Sequence, residues 1–105
     1  MEAVIIYCTV PDKRIAKEIS KYLIKRHLAA CVSAMDRVES VFSWDGEFEK
    51  EKEILLMIKT LRQNFEKIKE LITELHPYNV PEVIAVPIVD CSKEYFQWII
   101  HETRQ

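Results

Sequence analysis

The feature that most constrains this chain is a turn signal, Asp45-Gly46, set between two long β-rich stretches. Gly46 is the only glycine among 105 residues. A two-residue turn of type I′ needs positive φ at both positions, which Asp tolerates and Gly adopts without steric cost. The pair therefore predicts a tight β-hairpin in which Trp44 faces Glu47 across the turn.

The predicted hairpin is too long for the rest of the chain to cover. Its first strand is expected over residues 30–44, with a break near Asp36-Arg37, and its second strand over residues 47–60. Fourteen residues at about 3.3 Å each span roughly 46 Å, whereas a domain of this length has a radius of gyration of about 13 Å. Phe42, Trp44 and Phe48 near the tip would be exposed. We therefore predict that the tip packs on another subunit; the alternative is a hairpin curled over the chain's own helices.

Hydrophobic patterning predicts the remaining elements. The apolar run 4–10 is typical of a central strand buried on both faces. Helical spacing of apolar residues predicts an amphipathic helix over 12–28, a second helix capped by Asn64 and ended by His76-Pro77, and a last helix after Ser92. A fourth strand over 83–89 carries Pro87, which cannot donate to a ladder and so favours an edge.

These elements follow the order β-α-β-β-α-β-α. The first six predict the ferredoxin-like βαββαβ arrangement, an α+β fold with an antiparallel sheet whose first and third strands are central, and the seventh is an extra C-terminal helix. The length fits one domain over residues 1–105.

Composition excludes several classes of protein. A net charge of −2 is the wrong balance for gripping duplex nucleic acid. A single glycine leaves no G-x-G-x-x-G or Walker A loop. The apolar run at the N-terminus is too short to span a membrane. Three cysteines without a C-x-x-C pair argue against a zinc ribbon or thioredoxin-like site, and predict reduced thiols in the cytoplasm.

Few residues suggest chemistry by themselves. His76 is held by Pro77 beside Tyr78, which suits a ligand or proton-transfer site but is equally a helix stop signal. A Cys–His nucleophilic pair would need a third orienting group, for which Asn79 is the only nearby candidate. The sequence therefore predicts a protein that is not an enzyme. The alternating glutamates 47, 49, 51 and 53 are expected to be solvated charge at an edge.

Several segments together resemble the CutA family of divalent-cation-tolerance proteins. The resemblance covers essentially the whole chain in order. The segments that carry it are L-A-A-C-V (28–32), W-D-G (44–46), Glu53 with L-L-M-I-K-T (55–60), H-P-Y-x-x-P-E (76–82), and Tyr95 with Trp98-Ile99.

The resemblance implies a homotrimer with an architecture similar to the PII signalling proteins, whose long hairpins reach neighbouring subunits. It also implies binding of divalent or soft metal ions, copper above all, in metal-ion tolerance or response. The residues that it places in an inter-subunit cleft are Trp44, Glu53, Lys59, Tyr78, Tyr95 and Trp98.

The copper ligands that the resemblance implies are Cys8 and His76. A thiolate with an imidazole suits copper, particularly Cu(I). Leu75 stands where copper-associated members carry the first histidine of a doublet, and Cys91 where a glycine is common. Two alternatives stay open: a PII-like sensor of a small anionic ligand, in which Lys59 and the basic first helix matter more than the thiol, and a purely structural scaffold.

Overall fold

The computed structural model describes residues 1–104. Its four strands form one antiparallel sheet in the order β2-β3-β1-β4. This confirms the ferredoxin-like α+β fold with the first and third strands central. The elements are β1 (Ala3–Val10), α1 (Lys13–Lys25), β2 (Cys31–Trp44), β3 (Glu47–Leu61), a 3-10 turn (Arg62–Asn64), α2 (Phe65–Leu75), β4 (Ile84–Pro87) and α3 (Lys93–Glu102).

One face of the sheet is packed against α1 and α2. The Asp12 carboxylate caps α1 by accepting a hydrogen bond from the Ile15 amide at 2.9 Å. Alternate residues of β1 and β3 turn inward with the apolar stripes of both helices. The fully buried side chains include Ile6, Ile19, Leu23, Leu56, Ile58, Ile68 and Ile72.

The opposite face of the sheet is largely open and apolar. Cross-strand pairing places Met57 beside Tyr7, and Tyr7 beside Ile84. Tyr7 and Met57 are half-buried, while Ile84 is 51% and Met35 52% exposed. Because α3 covers only the end of this face, the rest of this apolar surface has no partner within residues 1–104. The residues of this open face are Ile5, Tyr7, Met35, Leu55, Met57, Ile84 and Val86.

α3 packs on the end of the open face that holds the start of β1 and the end of β3. Its buried Ile99 forms a small apolar cluster with Ala3 and Leu61, which are paired in the sheet. Ala30 and Ile88 pack against the same cluster. α3 therefore joins the start of β2 to the segment after β4.

The hairpin has the predicted turn and register. Asp45 has φ 51° and Gly46 φ 80°, as a type I′ turn requires, and Trp44 faces Glu47. A bulge interrupts the ladder between Met35 and Val38, at the predicted break. Residues 41–52 are all exposed, so the tip does overhang the core.

Three local expectations were wrong. α1 ends at Lys25, because Arg26 caps it and His27 turns out of the helix with φ 56°. β4 is shorter than expected and ends at Pro87, which has no amide hydrogen for a further ladder bond, although its edge position is confirmed. Asn64 precedes α2, but its side chain does not cap the helix and instead donates to the Thr60 hydroxyl at 3.2 Å.

Within residues 1–104, no helix combines the length and the hydropathy that crossing a membrane requires.

Candidate functional site

A cleft of about 720 Å³ runs along one side of the hairpin, from Glu53 at its base to Trp44 near its tip, beside the loop that follows α2. Aromatic rings and carboxylates line it together, and the backbone turn at Pro77 brings the loop side chains against β3. Three of the six residues predicted for a cleft lie here: Trp44, Glu53 and Tyr78. The other lining residues that bear on its chemistry are Phe42, Glu51 and Glu82.

Glu53 is the most unusual residue of this cleft. It is only 5% exposed, whereas Glu47, Glu49 and Glu51 on the same strand are exposed, so the expectation of solvated charge is wrong for Glu53. Its carboxylate accepts a hydrogen bond from the Tyr78 hydroxyl at 2.9 Å. Among the ion pairs of residues 1–104, none involves Glu53. A buried carboxylate without a cationic partner is costly, and a bound cation would offset that cost.

The negative charge of Glu53 contributes to raised pKa values at Glu82 and Tyr78. Partial desolvation at the cleft raises the pKa of Glu82, although this residue is exposed overall, and the nearby Glu53 carboxylate raises it further. Burial also raises the pKa of Tyr78 to about 12, with further contributions from the hydrogen bond to Glu53 and from its charge. The cleft is therefore electronegative, and its chemistry favours positively charged ligands.

His76 lies behind the cleft and orients it. The imidazole is buried; its Nε2 lies 2.8 Å from the Thr9 carbonyl oxygen, and its Nδ1 accepts the Tyr78 amide hydrogen at 3.1 Å. Because Nδ1 accepts, the hydrogen that reaches Thr9 is carried by Nε2, which defines a neutral tautomer. The His76 and Tyr78 ring centroids are 4.6 Å apart. His76 thus positions Tyr78, and both of its nitrogens are occupied by protein groups.

Cys8 points away from the cleft into the core beneath the helices. Its side chain is 0% exposed and belongs to the main apolar cluster. Burial, together with the charges of Glu82 and Glu53, raises the pKa of the Cys8 thiol to about 12. Since metals bind the thiolate, this environment opposes ligation. The copper pair of Cys8 and His76 stays a prediction: within residues 1–104, no three His, Cys, Asp or Glu side chains are grouped so as to hold a metal ion.

The remaining predicted cleft residues form a second cluster on the open face, beside α3. The Lys59 ammonium donates to the Ser33 hydroxyl at 2.5 Å and lies 4.0 Å from the Cys31 sulfur. Burial raises the pKa of Tyr95, and the charges of Cys31 and Cys91 raise it further. The Tyr95 and Trp98 ring centroids are 5.5 Å apart.

The two clusters cannot serve one small ligand within one subunit. Lys59 lies six residues after Glu53 on β3, a separation of about 20 Å at the usual rise per residue. Sequence reasoning missed Glu82 as a partner of Glu53, and Ser33 as a partner of Lys59. The available signal for Glu82 was its place in the Pro-Glu pair that follows a rigid loop. The signal for Ser33 was its spacing of two residues from Cys31, which puts both side chains on one face of the strand.

Comparison with known proteins identifies the family. A sequence profile described as "CutA1 divalent ion tolerance protein" matches residues 4–102. A divalent-cation tolerance protein CutA from Thermus thermophilus is 41% identical over 103 residues, which are 98% of this chain and 99% of that one. One from Pyrococcus horikoshii is 36% identical over 102 residues, covering 97% and 99% of the two chains.

The fold agrees with the sequence comparison. The crystal structure of CutA1 from Oryza sativa superposes with a TM-score of 0.96 at 36% identity, covering 100% of this chain and 96% of that one. The fold and the cleft thus belong to an α+β protein of the divalent-ion tolerance class. The chain is a member of the CutA1 family.

Proposed function

We propose that this protein binds divalent or soft metal cations, copper among them, and acts in metal-ion tolerance as a cytoplasmic homotrimer without catalytic activity. The observation that carries the proposal is the buried Glu53 carboxylate, which has a phenol donor but no ion-pair partner among residues 1–104 and lies near a second carboxylate. Family membership in the divalent-ion tolerance class supports the same ligand.

The proposed cation lies between Glu53 and Glu82. A positive ion there would relieve the repulsion that helps to raise the pKa of Glu82. Carboxylate and phenol oxygens favour hard or borderline cations. Two carboxylates are too few for a tight site in one subunit, so water or a second copy of the chain would supply the remaining ligands.

For copper, the chain offers a second candidate site besides this cleft. Cys8 and His76 together have the donor types that Cu(I) favours. Binding there would require the buried Cys8 thiol to ionise and His76 to leave either Thr9 or the Tyr78 amide. The carboxylate cleft needs neither change, which is why we propose it as the first site for the cation.

The proposed trimer is supported by two apolar surfaces that nothing in residues 1–104 covers. The open face carries Met35, Leu55 and Ile84 in one contiguous apolar area, and the hairpin tip exposes Phe48 and Trp44. Exposed apolar areas of this kind mark contact surfaces between chains.

Calorimetric titration with manganese(II) and copper(II) tests the cation site. Glu53→Gln and Glu82→Gln should each weaken binding by about tenfold or more, as loss of a supporting group does in metal sites. Glu49→Gln is the matched control, because Glu49 lies on the same strand but is exposed. Equal affinity in all four proteins would exclude the cleft.

A copper-specific arm separates the two candidate sites. If copper binds at the cleft, Cys8→Ala should leave its affinity unchanged while Glu53→Gln lowers it. The reverse pattern would assign copper to Cys8 and His76. Leu75→His, which restores the doublet that the family resemblance implies, should then raise copper affinity further.

The Lys59 cluster favours the second candidate function, a sensor of a small anion. The ammonium forms no ion pair with a carboxylate in residues 1–104 and donates a hydrogen bond to the Ser33 hydroxyl. A thermal-shift screen with nucleotides and carboxylate metabolites tests this function, because any ligand of the native state raises the melting temperature. A rise that Lys59→Met abolishes, and that Lys67→Met keeps, would support the anion sensor, because Lys67 is exposed on α2 and lies outside the basic first helix.

A further inference from the structure

The cleft beside the hairpin is larger than a metal ion needs. Its volume is about 720 Å³, within the range of about 300–1,000 Å³ that is typical of sites for small organic molecules. A single ion with its bound waters would fill only part of this space, because one water molecule occupies about 30 Å³. The size of the cleft therefore favours a cationic ligand that also has length.

One oxygen of the buried Glu53 carboxylate opens into this space. Its Oε2 accepts the Tyr78 hydroxyl hydrogen at 2.9 Å, whereas no hydrogen bond or ion pair within residues 1–104 involves its Oε1. Among the same residues, no side-chain nitrogen or oxygen is both fully buried and without a hydrogen-bond partner. Oε1 therefore has access to the cleft, which Glu53 lines, and can accept a hydrogen bond from a ligand there.

Glu51 supplies a second negative charge along the same side of the hairpin. Alternate residues of a strand share one face and lie about 6.5 Å apart, and Glu51 and Glu53 both line the cleft. Their partners across the hairpin are Ser40 and Val38, so no cationic side chain lies directly opposite either carboxylate. An extended four-carbon diamine holds its two nitrogens about 6 Å apart, since they are joined by five bonds of about 1.5 Å at tetrahedral angles. The spacing of the carboxylates thus matches that of the two ammonium groups.

Aromatic rings lie next to both carboxylates. Tyr78 contacts Glu53 through its hydroxyl, and Phe42 is diagonal to Glu51 across the hairpin, a separation that an aromatic side chain can bridge. Both rings line the cleft. Ring faces attract ammonium groups, and they also pack against the methylene groups between them. A hydrated divalent ion gains little from either contact, whereas an alkylammonium ion gains from both.

We propose that the cleft binds aliphatic diamines and polyamines whose ammonium groups are four carbons apart. One ammonium group donates to Oε1 of Glu53 and the next to the Glu51 carboxylate, while the methylene chain between them lies against Phe42 and Tyr78. Because this ligand and the proposed metal ion share Glu53, the diamine site rests on the proposed cation site and the two ligands compete. Glu51 separates them, since a metal ion between Glu53 and Glu82 does not require it.

Calorimetric titration of the full-length protein with 1,4-diaminobutane tests the proposal, at neutral pH and at physiological salt so that non-specific attraction is screened. The matched ligand is 1-aminobutane, which has the same chain and only one ammonium group. We expect the diamine to bind about tenfold or more tightly than the monoamine, because two linked groups that bind at once gain affinity over either alone. Added manganese(II) should lower the apparent affinity for the diamine.

Three variants connect binding to the named contacts. Glu51→Gln should lower the affinity for 1,4-diaminobutane about tenfold and change the manganese(II) affinity much less, whereas Glu53→Gln should lower both. Phe42→Leu should lower the diamine affinity about twofold to fivefold, as expected for loss of a cation–π contact at a half-open site. Glu49→Gln is the matched control, because Glu49 is exposed on the same strand outside the cleft lining, and it should change neither affinity.

Equal affinities for the diamine and the monoamine would overturn the proposal, and so would an equal loss of diamine and manganese(II) affinity in Glu51→Gln. Manganese(II) binding without diamine binding would refute the diamine site and leave the metal site standing. Diamine binding without manganese(II) binding would do the reverse, and failure of both ligands to bind would refute both sites.

Discussion

The Tyr78 hydroxyl donates a hydrogen bond to the Glu53 carboxylate across 2.9 Å, and so ties the loop after α2 to the base of the hairpin. His76 holds the same loop from behind through the Tyr78 amide. Glu53 is only 5% exposed. Its donor, Tyr78, is held in place by two contacts, one at its hydroxyl and one at its backbone amide. This arrangement makes the Tyr78–Glu53 contact measurable by single substitutions.

Tyr78→Phe should lower the free energy of unfolding by about 1–3 kcal/mol at pH 8, because the Glu53 carboxylate loses its donor while staying buried. Urea unfolding followed by circular dichroism measures this change. Tyr22→Phe is the control, since its ring stacks under Arg26 and its hydroxyl lies at the surface. A loss as large in the control as in Tyr78→Phe would contradict this interpretation.

The same pair of proteins gives a pH dependence. The pKa of Tyr78 is raised from 10.0 to about 12 in the folded chain, so the folded chain holds this proton more tightly than the unfolded chain. The stability that Tyr78 contributes is therefore fully present below pH 10 and is lost as the pH rises to about 12. The difference between wild type and Tyr78→Phe should shrink across that window; a constant difference would show that the phenol keeps its proton in both states.

Glu53→Gln should lower the pKa of Glu82. The carboxyl pKa of Glu82 should stay above 4.5, because burial, the larger cause of its elevation, is unchanged. Carbon-13 NMR titration of the Glu82 side chain measures the shift. An elevated folded-state pKa means that Glu82 gives its full stability below pH 4.5 and loses it as the pH rises through the folded value, so the variant should lose less over that range.

Ile84→Glu should disrupt self-association, because it places a charge in the open face. Light scattering of the wild-type protein should give about three times 12.4 kDa, and the variant a smaller mass. Ile24→Glu is a close control: the same residue type, 42% exposed against 51% for Ile84, on α1 rather than on the open face. A wild-type protein that is monomeric at micromolar concentration would refute the predicted trimer.

Gly46→Val should weaken the hairpin tip by about 1–2 kcal/mol through the backbone alone, because a side chain at φ 80° is strained. Among residues 1–104, no atom beyond the adjacent residues lies within 4 Å of an added Cβ, so the Cβ itself meets no clash. We expect the variant to have a lower mass by light scattering while the unfolding midpoint of the subunit stays close to that of the wild type, since the tip is remote from the core. Asp45→Asn, which tolerates the same left-handed geometry, should change neither; a fully assembled and equally stable Gly46→Val would remove the need for glycine at this turn.

The sequence was sufficient for the fold because its signals are local and periodic. Asp45-Gly46 fixed the hairpin register, and the apolar strand 4–10 with the later Pro87 placed the centre and edge of the sheet. The errors are at the ends of helices and strands, where one side chain can bond to either of two partners. Asn64 had the residue type of a cap, but the Thr60 hydroxyl, four residues earlier, is a competing partner for its side chain.

The candidate site was harder to predict, because it depends on contacts between distant segments. Glu53 looks like its neighbours in a row of charged residues, and only the loop carrying Tyr78 distinguishes it. Cys8 alternates inward with the core of β1, so its sequence position near the cleft says little about where its sulfur points. Resemblance to a family supplied the cleft residues, but not their division into two clusters on one strand.

The bulge between Met35 and Val38 divides the hairpin into two parts that differ in cooperativity. Before it, β2 lies against a β3 segment that β1 also flanks; beyond it, each strand has only the other as a neighbour. Opening from Gly46 inward therefore breaks ladder bonds without exposing the core. In a dissociated subunit, amide hydrogen exchange along β3 should fall steeply at Glu53 rather than change gradually, because the tip opens as a separate local unit while the rest of the sheet stays closed.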